Sequence, residues 1–155
     1  MEFVKNKYIF KSGSFIKADA QVAGEQCERL AREGRCSAKE LVNENRPESA
    51  PLHNAFEWRD DVAGELYREY QARHIMNCLL IVKENVEPVR VFLNIERKSP
   101  EYKHIDAILE STDDTRKMLQ TAMNELRWFK RKYGQLKELT DVFKAIDKLE
   151  TEAAS

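Results

Sequence analysis

Apolar residues recur at three- and four-residue steps over the last third of the chain. From Ser111 onward the repeat predicts a long amphipathic helix, carried by Leu119, Ala122, Met123, Leu126, Phe129 and Tyr133. Gly134 predicts a break, after which the pattern resumes through Leu136, Leu139, Val142 or Phe143, Ile146 and Leu149. The two halves predict either a helical hairpin that folds back onto the preceding residues or an apolar seam that pairs with a second copy.

Two stretches with a different pattern predict a β-hairpin in the middle of the chain. Cys78 to Lys83 is a continuous apolar run, whereas Val89 to Ile95 alternates apolar and polar residues. The turn-rich segment Glu84–Pro88 separates them. A further short strand is expected at Lys7 to Lys11, and a short helix or turn at Tyr102 to Glu110.

Helix-capping signals predict two short helices near the N-terminus. Asp19 is a suitable cap for a helix that ends near Glu33, and Gly34 supplies the left-handed residue that follows. Ser37 and Glu40 form a capping-box pattern for a second helix, Ala38 to Asn45. Two short helices joined by a glycine-containing turn are typical of a helix-turn-helix, and more commonly of an ordinary helical corner.

The next segment predicts an apolar loop followed by a third helix. Leu52, Phe56 and Trp58 place large apolar groups in the loop Arg46–Arg59, which we therefore expect to pack against the core. The helix is expected to run from Asp60 or Asp61 to Asn77. One side is predicted to carry Ala63, Leu66, Tyr67, Tyr70 and His74, with the polar groups Arg68, Gln71 and Arg73 mostly elsewhere.

Together these elements predict an α+β fold that is mainly helical. Three helices followed by a β-hairpin match the order of a winged helix, so residues 1–110 are expected to form a winged-helix-like body. Residues 111–155 are expected to form a C-terminal helical arm that packs on the body or mediates dimerisation.

Composition and charge limit the classes of protein to which this chain is expected to belong. Among 155 residues, 26 Lys and Arg balance 27 Asp and Glu, which disfavours a polybasic membrane or nucleic-acid coat unless the charges are segregated. No apolar run approaches the roughly 18 residues of a membrane span, and the N-terminal M-E-F-V-K-N-K lacks the apolar core of a secretory signal. Three cysteines without a C-x-x-C spacing fit reduced thiols, so we expect a cytoplasmic protein without membrane contact.

Motifs for catalysis are missing from the sequence. There is no nucleophile elbow, glycine-rich phosphate loop, metalloprotease helix or paired catalytic carboxylate. His74 and Cys78 are four residues apart, but a second ligand pair at short spacing is missing. We therefore expect no enzymatic activity, no cofactor and no metal.

Basic residues interleaved with aromatic ones suggest a nucleic-acid interface. The segment Arg127–Lys137 has this composition, which favours phosphate binding or, alternatively, cations that complement a helix C-terminus. In a helix-turn-helix, the second helix would add further contacts to a DNA duplex. The predicted nucleic-acid-binding residues are Arg35, Lys39, Asn43, Arg46, Arg127, Lys130, Arg131 and Lys132.

A protein-binding function is the alternative. The tryptophan-bearing loop and the third helix mix acids such as Glu65 and Glu69 with cations, which is typical of a protein interface. The predicted protein-interaction residues are Trp58, Arg68, Gln71 and Arg73. A homodimer through the C-terminal helices is compatible with either function.

The central stretch resembles a family of small uncharacterised proteins encoded by bacteriophages and prophages. The resemblance rests on Pro51, Leu52, His53, Phe56, Glu57, Trp58, Asp60, Asp61, Ala63, Tyr67, Arg68, Gln71, Ala72 and Arg73, and further on Phe129, Lys132 and Tyr133. It implies a phage origin and hence a bacterial host cytoplasm, and it implies no particular activity. The sequence thus predicts a phage-encoded accessory or regulatory protein that binds nucleic acid, or else one that binds and modulates a host or defence complex.

Overall fold

The computed structural model describes residues 5–154 and forms a mainly helical α+β fold, as predicted. Its helices are α1 (Ala20–Arg32), α2 (Ala38–Glu44), α3 (Glu65–Cys78), α4 (Ile105–Glu110), α5 (Thr112–Tyr133) and α6 (Thr140–Ala154). Its strands are β1 (Lys7–Phe10), β2 (Leu79–Val82), β3 (Val89–Arg90), β4 (Phe92–Leu93) and β5 (Lys103–His104). The chain divides into two compact units, which we call the body (Met1–Glu110) and the hairpin (Ser111–Ser155). Part of the N-terminal segment used to judge a secretory signal lies outside the described residues.

The body contains two small antiparallel sheets. In the larger, β2 lies between β1 and β3, with Tyr8 opposite Ile81 and Leu80 opposite Arg90. In the smaller, β4 pairs with β5. The strand predicted over Val89–Ile95 is therefore divided between two sheets. Val91, at the division, is fully buried, and its carbonyl accepts a hydrogen bond from Ile105 N at 2.7 Å.

Side-chain caps fix the first two helices where the sequence predicted them. Asp19 Oδ1 accepts the amide of Val22 at 3.0 Å, and Gly34 takes a φ of +69° just after the end of α1. Ser37 Oγ accepts the amide of Glu40 at 3.2 Å. The Glu40 carboxylate contacts Arg35 at 3.1 Å. Both helix starts are thus set by local side chains, as the capping rules require.

The third helix begins later than predicted, at Glu65 rather than Asp60 or Asp61. Gly64 is its N-cap, and the residues before it form turns. Those turns are held by the Arg68 guanidinium, which donates to the carbonyls of Glu57 and Ala63 at 3.1 and 3.2 Å. It also donates to Asp60 Oδ1 at 2.9 Å, so that carboxylate pairs with an arginine instead of capping a helix.

In the hairpin, α5 and α6 run antiparallel on either side of Gly134 and a single 3-10 turn at Lys137–Leu139. Arg127 Nε lies 2.8 Å from Glu150, and Lys130 pairs with Asp147. The predicted break at Gly134 is confirmed. Among the described residues, no helix is both long and apolar enough to cross a membrane.

Candidate functional site

The loop that carries Trp58 is built around stacked rings and one arginine. The Trp58 and His53 rings stack with centroids 4.9 Å apart and planes 5° apart, and Trp58 Nε1 donates to the carbonyl of His53 at 2.7 Å. The Arg68 guanidinium lies 5.4 Å from the centre of the Trp58 ring. Leu52 and Phe56 are buried, as predicted for this loop. These five side chains therefore hold the loop in place.

Two of the predicted protein-interaction side chains are used within the chain. Arg68 is only 5% exposed, and Asp60, through a hydrogen bond, holds its pKa above the usual value. Gln71 Oε1 accepts the amide of Glu57 at 3.1 Å. Trp58 is half-buried, whereas Arg73 is exposed. Of this set, Arg73 is the side chain most available to a partner.

The third helix turns its aromatic side to solvent. Leu66 and Tyr70 are 80% and 59% exposed, and Tyr67 is half-exposed. The face that packs into the body instead carries Arg68, Ala72, Ile75 and Met76. Arg68 can occupy this face because carbonyls and carboxylates satisfy its donors, which removes most of the cost of burying a charge.

A groove with a volume of about 370 Å³ lies next to this side of α3, and we call it the aromatic groove. Its rings come from Phe15, Phe56, Tyr67, Tyr70 and His74. Tyr67 and Tyr70 have ring centroids 6.2 Å apart, and those of Tyr70 and His74 are 6.5 Å apart in parallel planes. His74 Nε2 donates to the carbonyl of Ser14 at 3.0 Å, which ties the Phe15 segment to α3.

Among the residues that line the groove, Phe15 has a left-handed backbone conformation. Its φ is +54°, in the left-handed region, and its side chain is 93% exposed. A non-glycine residue in this region stores strain, and an exposed phenylalanine gains little from burial. The chain therefore holds this ring beside the groove at a cost in folding free energy.

The charge in the groove lining that has no ion-pair partner is positive. Lys17 lines the groove, whereas Arg73 is exposed on α3 outside the lining. No carboxylate of residues 5–154 lies within ion-pair distance of Lys17. The carboxylate in the lining, Glu57, is paired with Arg59. A bound group with a negative charge would thus find a lysine that is not already neutralised.

Of the four predicted nucleic-acid-binding residues of the body, the two arginines are paired with acids. Arg35 contacts Glu33, Glu40 and Glu44 at 3.0 to 3.2 Å. Arg46 pairs with Glu65 and also donates to Asn43 Oδ1 at 2.9 Å. Lys39 and Asn43 are exposed. A DNA phosphate would have to compete with these carboxylates for both arginines.

The hairpin residues predicted to bind nucleic acid divide into two pairs. Arg127 and Lys130 form ion pairs with α6, as described above. Arg131 lies 5.3 Å from the centre of the Trp128 ring, and Lys132 lies 5.2 Å from that of Tyr133. These two cations lie against aromatic rings, and they keep their charge accessible.

A buried polar network joins four elements of the body, β1, α1, β5 and α4. Asp106 N donates to His104 Nδ1 at 3.1 Å, so the neutral ring carries its proton on Nε2, which lies 3.1 Å from Tyr8 Oη. The Tyr8 hydroxyl donates to Glu28 Oε2 at 2.6 Å. Burial, followed by the Glu28 contact, raises the pKa of Tyr8, and burial lowers that of His104. Both side chains are buried, so this network supports the fold and offers no open catalytic position.

A wider groove of about 820 Å³ borders α1 and the segment Pro47–Pro51. Its charges largely cancel, since Arg29 pairs with Glu44 and Lys5 lies 3.8 Å from Glu25. Arg29 holds the pKa of the Glu44 carboxyl below its usual value. Within residues 5–154, no cluster of three His, Cys, Asp or Glu side chains is arranged to hold a metal. The aromatic groove is therefore the stronger candidate.

Sequence reasoning missed this groove. It assigned Tyr67 and Tyr70 to one side of the third helix and did not connect them with Phe15, which lies more than fifty residues earlier. The signal available in the sequence is the exposed-turn composition Ser12-Gly13-Ser14 directly before Phe15. Comparison with protein-family models, curated proteins and solved structures finds no match for this chain.

Proposed function

We propose that the protein is a protein-binding module whose docking surface is the aromatic groove. The observation that carries the proposal is that α3 directs Tyr67 and Tyr70, which line the groove, to solvent while burying Arg68. Exposed aromatic residues beside a concave surface are typical of the centres of protein interfaces, where a few such side chains supply most of the binding energy.

The chemistry of the groove favours one kind of partner segment. A volume of about 370 Å³ accommodates one or two apolar side chains of a peptide. Lys17 would attract a carboxylate that flanks them, and such a charge mainly raises the association rate and the specificity. The proposed ligand is therefore an acidic peptide segment with an aromatic or leucine anchor.

Selection from a random peptide library tests this proposal. The library is panned on the full chain and counter-selected on a Tyr67→Ala/Tyr70→Ala variant, and the enriched peptides are measured by fluorescence polarisation. We expect acidic peptides with apolar anchors, at least a tenfold loss of affinity in Tyr70→Ala, and a smaller loss in Lys17→Ala. Leu109→Ala changes an exposed leucine of the body outside the groove lining and serves as the control with unchanged affinity.

Two results would overturn the proposal. One is that no peptide is enriched on the wild type over the double variant. The other is that a labelled single-stranded or duplex oligonucleotide binds the groove, with an affinity that falls steeply with salt and is lost in Tyr70→Ala. The second result would assign the groove to nucleic acid instead.

Other predictions remain proposals beside this one. Nucleic-acid binding through Lys39, Arg131 and Lys132 is tested by the same oligonucleotides across a salt series. A winged-helix-like arrangement of the body is the finer description of the α+β fold that we propose. A phage origin rests on the resemblance of the central stretch, and a cytoplasmic location is supported by three free, buried cysteines.

A further inference from the structure

The hairpin leaves much of its apolar surface exposed. Its buried apolar side chains, among the described residues, are Met123, Phe143 and Ile146. The side chains exposed along the apolar positions of its two helices are Leu119, Phe129, Tyr133, Val142 and Leu149, which we call the hairpin stripe. Two helices joined by a turn have little stability unless such a surface is covered.

The hairpin stripe is continuous across the two helices. On α5 its members and Leu126 follow three- and four-residue steps, which places them on one side of the helix. The Phe129 ring lies 5.0 Å from that of Tyr133 and 6.3 Å from that of Phe143 on α6. Trp128, which is 67% exposed, lies off these steps and packs under Arg131.

Because α5 is longer than α6, the first part of α5 extends beyond the end of α6 in the hairpin. Contacts of Arg127 with Glu150 and of Lys130 with Asp147 set the antiparallel register. In that register the end of α6 lies opposite Met123, so Thr112–Ala122 extends past it. Leu119, which is 61% exposed, belongs to this overhang.

We propose that the hairpin stripe is the interface of a two-fold homodimer, in which two hairpins form a four-helix bundle. An antiparallel pair places the overhang of each α5 beside that of the other chain, and a two-fold axis makes the two contacts identical. The hairpin has nine Lys and Arg against eight Asp and Glu, so two copies do not repel one another through net charge.

The available area is sufficient for such a dimer. The exposed parts of the hairpin stripe amount to roughly 500 Å² on one chain, so a symmetric contact would bury on the order of 1,000 Å² in total. That value is at the lower limit for a specific interface. We therefore expect a dimer that dissociates on dilution rather than a permanent one.

Sedimentation velocity and light scattering of the full chain over a concentration series test the proposal. The expected mass is twice the 18.1 kDa of one chain at about 100 µM, with dissociation at lower concentration. Leu119→Lys and Leu149→Lys change exposed side chains and should raise the dissociation constant at least tenfold. Trp128→Ala removes an equally exposed side chain off the stripe and should leave the dissociation constant unchanged.

Circular dichroism confirms that each variant is folded before its mass is compared. A wild-type monomer at the highest concentration would overturn the proposal, and so would a larger oligomer. A dimer that is lost in Trp128→Ala or in Tyr67→Ala/Tyr70→Ala but kept in both lysine variants would assign the interface to another surface. Peptide binding to the aromatic groove is scored separately, so either proposal can fail without the other.

Discussion

At the scale of single residues, Phe15 combines a strained backbone with an exposed ring. Its φ of +54° suits glycine far better than phenylalanine, and its ring has little burial to lose. Phe15→Gly should therefore leave the free energy of unfolding unchanged or raise it by up to about 1 kcal/mol. The same substitution should weaken binding of a groove-selected peptide at least fivefold. Thermal melts and fluorescence polarisation measure the two effects.

Gly13 provides the matched control for Phe15. It has a φ of +81°, and a β-carbon at this position would meet no atom within 4 Å. Gly13→Ala should lower stability by roughly 1 kcal/mol through backbone strain alone and leave peptide binding unchanged. Loss of stability in Phe15→Gly together with unchanged binding would show that Phe15 serves the fold and not the groove.

His104 makes the stability of the body dependent on pH. Burial lowers its pKa below the usual 6.5, while Asp106 and Glu28 act in the opposite direction. The folded state therefore binds this proton less readily than the unfolded state does. The contribution of the neutral His104 ring to the free energy of unfolding is fully present above about pH 6.5. It declines as the pH falls towards the pKa of His104 in the folded state.

Urea unfolding of the wild type and of His104→Gln measures this contribution. Glutamine can accept from one neighbour and donate to another, but it does not titrate. The fall in stability between roughly pH 7.5 and pH 5 should be smaller in the variant, since His104 is the titratable group in which the two proteins differ. Equal pH dependence in the two proteins would contradict a lowered pKa for His104.

At the scale of elements, α1 and β1 approach closely because Gly24 has no side chain. A β-carbon at Gly24 would overlap the ring of Tyr8. Alanine is otherwise the better helix former by about 1 kcal/mol, yet Gly24→Ala should lower stability by about 1–3 kcal/mol because the ring must move. Gly64→Ser is the control, because it adds a side chain in open space at the N-cap of α3. It should not lower the free energy of unfolding. Stability in Gly24→Ala at or above wild type would refute the close approach.

Local chemistry allowed most elements to be predicted from sequence. Asp19 and Ser37 fix helix starts through hydrogen bonds to residues three positions away, so the residues nearby in the sequence are enough to predict these starts. The predicted start of α3 was wrong because Arg68 holds the preceding turn through hydrogen bonds to Glu57, Ala63 and Asp60. Side-chain periodicity does not contain that information, since an arginine is ordinarily assigned to the surface.

The candidate site was harder to predict for the same reason. Tyr67 and Tyr70 read as a packing stripe when considered alone, and their exposure becomes evident only once Arg68 is placed on the buried side. Among the predicted basic residues, those that form ion pairs in the structure are Arg35, Arg46, Arg127 and Lys130. Their neutralisation depends on acids up to 23 positions away, as in Arg127 with Glu150. Ion pairing between elements follows from the tertiary structure, which single-sequence patterns do not specify.

At the scale of the whole molecule, a groove in the body and a dimer interface in the hairpin would make the protein bivalent. Two grooves on one dimer raise the apparent affinity for a surface that presents many copies of a ligand, without changing the affinity of either groove. On a sensor densely coated with a groove-selected peptide, the wild type should dissociate at least tenfold more slowly than Leu119→Lys. In solution, with the peptide as a free monovalent ligand, the two proteins should bind equally. If the wild type and Leu119→Lys dissociate from the coated surface at the same rate, the two grooves of a dimer do not bind that surface together. If the two proteins differ in affinity for the free peptide, the substitution in the hairpin alters the groove itself.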